Sequence, residues 1–291
     1  MKLIVSEKAG YCFGVQRAMK KARVLLENER EKKVYSLGPL IHNEQATQKL
    51  MNEGLFEANG IEDIDDGSVV VIRSHGLGEK YYTLLEEKGC EIEDATCPFV
   101  KKIQMIARDH VRQGKGIVII GDAFHPEIEG INLWAGGGCI IGKEIEDFEK
   151  IEFSSDKEYV VVAQTTFSVE KYQRIKKFLE GKIKNLKFFD TICDATRERQ
   201  EDAVKIAQSV DAMIVIGGRH SSNTKKLYEL CSQFCKTFLI ETANDIDVDE
   251  IKIYDSIGMT AGASTPDFII NEVIDFIVHT KKHGKELGID E

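Results

Sequence analysis

The chain has 291 residues, enough for two or three compact units with cores of their own. Hydrophobic residues make up 42% and charged residues 30%, and the 39 Lys and Arg against 49 Asp and Glu leave a formal charge of −10. That balance excludes a general nucleic-acid binder, which needs a basic face, but leaves room for one locally positive pocket that takes a small anion. No run of 18 uncharged apolar residues occurs, and Met1–Val5 turns polar at Ser6-Glu7-Lys8, so neither a membrane span nor a signal-peptide core is expected. Seven cysteines without a close-set framework argue against a secreted disulfide scaffold and for a reducing cytoplasm.

Short β-branched runs alternate with amphipathic helical segments, an α/β pattern. In chain order the clearest strands are Val34–Leu37, Val69–Ile72, Ile117–Ile120, Tyr159–Ala163 and Met213–Ile216. Their nearly continuous apolar character fits parallel strands covered on both faces. Helical stripes follow at Val100, Ile103, Ala107 and Val111, and at Ala203, Ile206, Ala207 and Val210.

The chain repeats itself three times. An extended run, a cysteine and a helix occur at Leu3 through Cys12, at Glu91 through Cys97, and at Phe188 through Cys193. An apolar strand ending at glycine follows each: Gly38, Gly121 and Gly217, standing 26, 24 and 24 residues beyond their cysteines. Each glycine opens a polar loop, carrying His42 in the first unit, His125-Pro126-Glu127 in the second and His220-Ser221-Ser222-Asn223 in the third. A second strand end recurs at Arg73-Ser74-His75-Gly76, at Gln164-Thr165-Thr166 and at Gly262-Ala263-Ser264. Residues His75, Thr165 and Ser264 are the expected equivalents. The N-terminal strand is expected to complete the third unit.

The domains read as 13–96, 97–192, and 193–280 together with 1–12, with a mobile tail over 281–291. In open parallel α/β sheets ligands bind beyond the carboxyl ends of the strands, where all these polar elements lie. Three units about a rough threefold would bring Cys12, Cys97 and Cys193 to one centre, each at a helix start that favours thiolate. Three thiolates make an incomplete coordination set and leave a metal open to substrate. Zinc and an iron–sulfur cluster both fit; the cluster is favoured because it accepts oxygen ligands and carries electrons. Cys90, Cys139, Cys231 and Cys235 have no counterparts among the repeats and read as structural, and His110, His220, His279 and His283 as surface residues.

These motifs together resemble the LytB/IspH family of 4-hydroxy-3-methylbut-2-enyl diphosphate reductases. The resemblance rests on Gly10-Tyr11-Cys12-Phe13-Gly14-Val15, Gly38-Pro39-Leu40-Ile41-His42-Asn43, Ser74-His75-Gly76 and Asp94-Ala95-Thr96-Cys97-Pro98. It continues through His125-Pro126-Glu127, Gln164-Thr165-Thr166, Asp190-Thr191-Ile192-Cys193 with Arg199-Gln200, Ser221-Ser222-Asn223 and Gly262-Ala263-Ser264. It implies a pseudo-threefold trefoil of α/β domains around one [4Fe–4S] cluster per chain, held by Cys12, Cys97 and Cys193, with one iron not ligated by protein. It implies that His42, His75, Ser221, Asn223 and Ser264 hold the diphosphate, with Ser222 adjoining. His125 and Thr165 would lie near the substrate hydroxyl, which sits on the open iron, and Glu127 would donate the proton. The implied activity is the reductive dehydroxylation that ends the non-mevalonate isoprenoid pathway, giving isopentenyl and dimethylallyl diphosphate. Its implied partner is a ferredoxin- or flavodoxin-like electron donor, with no nucleic acid and no membrane.

Overall fold

The structure, a computed structural model, describes residues 2–29 and 31–286. The chain opens with β1 (Lys2–Val5), α1 (Phe13–Asn28), β2 (Val34–Leu37), α2 (Glu44–Asn52), β3 (Leu55–Ala58), β4 (Val69–Ile72), α3 (Glu79–Glu87) and β5 (Glu91–Asp94). It continues through α4 (Pro98–Arg112), β6 (Gly116–Ile120), α5 (Pro126–Trp134), β7 (Ile140–Gly142), α6 (Glu146–Glu149), β8 (Tyr159–Ala163), α7 (Val169–Lys182) and β9 (Leu186–Phe188). The last elements are α8 (Asp194–Ala207), β10 (Ala212–Ile216), α9 (Ser222–Cys231), β11 (Lys236–Ile240), α10 (Val248–Ile251), β12 (Ser256–Ala261) and α11 (Asp267–Glu286). Of the expected tail, residues 287–291 lie outside the described residues, and the backbone of the first six continues α11.

Three parallel sheets of four strands result, in the orders β3-β2-β4-β5, β7-β6-β8-β9 and β11-β10-β12-β1. One connectivity serves all three once β1 takes the place of a fourth strand. Residue pairs Lys2 with Ser256 through Val5 with Met259 fix that register. The central strands β2, β4, β6, β8 and β10 are buried along their whole length, whereas the cysteine-side edges β1, β5 and β9 have no buried residue. Strands covered on both faces read as apolar runs; edge strands, half wet, do not.

By contact the chain forms two compact units. One is built from the segment through Cys12, from His42–Ala46 and from Asp194 onward, and carries the β11-β10-β12-β1 sheet. The other, Phe13–Ile41 and Thr47–Cys193, carries the remaining two sheets and holds the segments expected as domains 13–96 and 97–192, apart from His42–Ala46. Within it α3 packs on α5, Leu133 covers Gly78, and the Trp134 indole N–H donates to the Leu77 carbonyl at 2.8 Å.

Each sheet buries helices against its faces. In the second sheet, Phe148 of α6 is fully buried among Val118, Ile120, Val161 and Leu179, with Gly142 close beneath its ring. Phe148→Ala should cost about 3–5 kcal/mol in urea unfolding, the usual penalty for emptying an aromatic site. Phe124→Ala, at a side chain 97% exposed, should stay within about 0.5 kcal/mol.

Candidate functional site

All polar loops open at the carboxyl ends of parallel strands. Gly38, Gly121 and Gly217 directly follow β2, β6 and β10, and each backbone N–H donates to the last residue of the neighbouring edge strand: Ala58, Gly142 and Ile240. That bond turns each chain out of its sheet at the same point. At Gly38 and Gly217 the turn needs φ of +70° and +145°, open to glycine and strained for other residues.

The three cysteines share a second repeated bond. Cys97 N–H donates to Ser74 O (3.0 Å), Cys193 N–H to Thr165 O (3.1 Å) and Cys12 N–H to Ala263 O (3.0 Å). Each acceptor lies two residues past the end of its third-position strand, β4, β8 and β12. In each case a helix begins at the residue after the cysteine: α1, α4 and α8. Counting from the strand ends, Thr165 is equivalent to Ser74 and Ala263, one position before His75 and Ser264. Counting from the cysteines hid this offset, because the loops between differ in length.

Two arginines hold the cysteine loops by their carbonyls. Arg199 of α8 is 4% exposed and donates to Ala261 O and Gly10 O, both at 2.9 Å, and to Lys8 O. In the other unit, Arg17 of α1 donates to Thr96 O (2.9 Å) and Asp94 O (3.3 Å), beside Cys97. A Cβ on Gly14 would lie 2.6 Å from Cys97 Sγ, so only glycine lets the first turn of α1 rest on that sulfur. Charged donors to carbonyls contribute about 1.5–3 kcal/mol each. In sequence Arg199 is visible only within a motif and Arg17 not at all as a brace, because backbone acceptors leave no trace there.

All seven cysteines are unbridged. Cys12, Cys97, Cys193, Cys139 and Cys235 are partly accessible, whereas Cys90 and Cys231 are buried. Burial pushes the Cys139 and Cys231 thiols up to about 12 and raises Cys235 as well, keeping these as thiols at neutral pH. What distinguishes Cys12, Cys97 and Cys193 is a place directly before a helix, which none of the other four shares and which suits soft-metal ligation.

In the two-sheet unit, His125 caps the N-terminus of α5, its Nδ1 accepting from Glu127 N–H at 3.1 Å. His75 meets His125 edge to face, ring centres 5.4 Å apart. Glu127 is 1% exposed, and Thr165 supplies both of its hydrogen bonds: backbone N–H to Oε1 and hydroxyl to Oε2, each 2.7 Å. Desolvation outweighs those bonds and lifts the Glu127 carboxyl from 4.5 to about 7. A continuous link thus runs from Cys193 N–H through Thr165 to the Glu127 carboxyl.

In the other unit, Ser264 Oγ donates to the His42 carbonyl at 2.9 Å, and Gly218 packs on the same carbonyl. Ser221 caps α9, accepting from Thr224 N–H at 3.3 Å. Asn223 is buried, and neither amide atom of its side chain has a hydrogen-bond partner among the described residues. Ser222, next to it, is partly exposed. His110 instead bonds the Ile106 carbonyl, and His220 and His279 are exposed; the side chain of His283 lies outside the described residues.

These features define an α/β protein with thiols, imidazoles, hydroxyls and one proton-holding carboxylic acid at its strand ends. The family model described as LytB protein matches residues 3–278. A 4-hydroxy-3-methylbut-2-enyl diphosphate reductase of Clostridioides difficile is 46% identical over 277 residues, 95% of this chain and 99% of that one. One from Caldanaerobacter subterraneus is 43% identical, covering 97% and 98%. The solved E-1-hydroxy-2-methyl-but-2-enyl-4-diphosphate reductase of Plasmodium falciparum superposes with TM-score 0.90 at 28% identity, over 96% of this chain and 87% of its own. The chain belongs to the LytB family and is an oxidoreductase, and membership implies an iron–sulfur cofactor. No helix among the described residues is long and apolar enough to cross a membrane.

The raised Glu127 carboxyl makes stability depend on pH. Its protonated form is favoured in the fold, so no cost arises below about pH 4.5, and the cost builds as pH rises through about 7. Glu127→Gln should gain less than about 1 kcal/mol over the parent near pH 5 and about 3 kcal/mol near pH 8. Denaturant unfolding at both pH values measures this, and a gain independent of pH contradicts it.

Proposed function

We propose that the chain reduces 4-hydroxy-3-methylbut-2-enyl diphosphate to isopentenyl and dimethylallyl diphosphate, ending the non-mevalonate route, with a [4Fe–4S] cluster held by Cys12, Cys97 and Cys193. Beyond family membership, the observation that carries this reading is the Glu127–Thr165 pair joined through one backbone bond to Cys193. Bound by three thiolates, the cluster would supply single electrons and a Lewis-acidic iron without a protein ligand.

The protein's own part is binding and proton delivery. Hydroxide leaves poorly, so the C4 hydroxyl must be protonated as its bond to carbon breaks. With its carboxyl raised to about 7 by burial, Glu127 can hold that proton near neutral pH and give it up. Ionised Glu127 accepts from the Thr165 hydroxyl; once protonated it donates to that hydroxyl instead, and Thr165 can turn its own proton outward. His125, fixed by its capping bond, stands beside this pair on the turn leading into α5.

The diphosphate falls to His42, His75, Ser221, Ser222, Asn223 and Ser264. The N-terminus of α9, ten residues long and opening at Ser222, offers backbone N–H groups and the positive dipole end to an anion. Asn223 adds two amide donors from a buried position.

Anaerobically reconstituted protein, reduced viologen and the hydroxylated diphosphate provide the test. Two viologens should be oxidised per product, and Glu127→Gln should lose about 10²- to 10⁴-fold in kcat with little change in KM. Near-normal turnover in that variant removes Glu127 as donor. Substrate loss without viologen oxidation replaces the reductase with a hydro-lyase.

A further inference from the structure

The chain is acidic overall, yet α1 is basic: Arg17, Lys20, Lys21 and Arg23 stand against Glu27 alone within Phe13–Asn28. Along this helix runs a groove of about 630 Å³, lined by Phe13, Gln16, Arg17, Lys20, Val24 and Glu93 among others. Its floor is apolar and exposed, with Phe13 at 60% and Val24 at 44%. Lys21 spends its charge on Glu93, and Arg23 faces Glu53 at 3.5 Å. Arg17 donates only to carbonyls in the bonds described above, so its charge is not cancelled there. Lys20 is exposed and in no ion pair among the described residues. An apolar floor with an uncompensated cationic rim is the make-up of a docking surface for an acidic protein.

The groove also has a position. Its first residue, Phe13, directly follows Cys12 in the chain, and the next, Gly14, rests on Cys97 Sγ. Arg17 grips the carbonyl just before Cys97. Whatever sits here touches the helix turn that backs a proposed cluster ligand.

We propose that this face of α1 is where a small acidic one-electron carrier protein, of flavodoxin type, docks to reduce the cluster. The inference rests on the reductase reading, which requires two electrons delivered singly. Each docking passes one electron from the reduced carrier to the cluster, so two reduced carriers are oxidised per substrate reduced. The positive rim steers the acidic carrier against the net charge of the whole chain, and salt weakens that steering. The apolar floor supplies contact once the carrier has arrived.

The variant Gln16→Glu/Lys20→Glu reverses the rim at two exposed positions outside the catalytic and binding residues. Lys177→Glu, on the exposed side of α7, serves as control. Titration of an acidic flavodoxin into the cluster-loaded protein at low salt should give binding that weakens at least about tenfold in the double variant and with added salt, but not in the control. Turnover driven by reduced flavodoxin should show the same loss as a raised KM for flavodoxin, while viologen-driven turnover stays within about twofold. Equal flavodoxin affinity and KM in the double variant and the control overturn the proposal, as does a parent protein that binds no flavodoxin. Absence of viologen-driven turnover in the parent would instead overturn the reductase reading, and the titration would still report on the surface.

Discussion

The hydrogen bond from each cysteine's backbone N–H to a carbonyl two residues past a strand end is the constraint on which the site depends. It ties the start of a helix to the end of a sheet at three equivalent places: Cys12 to Ala263, Cys97 to Ser74 and Cys193 to Thr165. A thiol at such a position stands at the opening of a helix and is partly accessible, as a metal ligand must be. Arg199 and Arg17 brace two of these loops through their carbonyls, so two buried or half-buried side chains reinforce the backbone bonds at the cysteines. Side chains at the neighbouring positions are then free to specialise for substrate.

Thr165 shows what that specialisation achieves. Its carbonyl holds Cys193, while its amide and hydroxyl hold the two oxygens of Glu127. One residue thereby couples a proposed ligand loop to the only strongly buried carboxyl among the residues proposed for chemistry. The price of excluding water there is a carboxyl at about 7, which is the value useful to a proton donor at neutral pH.

Much of this was legible in the sequence, for stateable reasons. β2, β4, β6, β8 and β10 are covered on both faces and so appear as nearly continuous apolar runs. The outer strands β3, β7 and β11 mix buried with partly or fully exposed positions over three to five residues, too little pattern to mark them. Cys12, Cys97 and Cys193 stood out because they recur in register, and Cys139 and Cys231 fell away because they do not. What sequence could not give was the one-position offset of Thr165, since spacing counts are blind to loop length. Nor could it give the work of Arg17, whose partners are carbonyls of Asp94 and Thr96 that any residue would supply. The charge of α1 was diluted in the same way by the acidic remainder of the chain.

Iron and acid-labile sulfide content, measured on anaerobically reconstituted protein, tests the three-cysteine cluster most directly. The account predicts about four of each per chain in the parent and in Cys231→Ser, with loss of most of both in Cys12→Ser, Cys97→Ser and Cys193→Ser. Full iron and sulfide in any of those three, or zinc in place of iron in the parent, would contradict it.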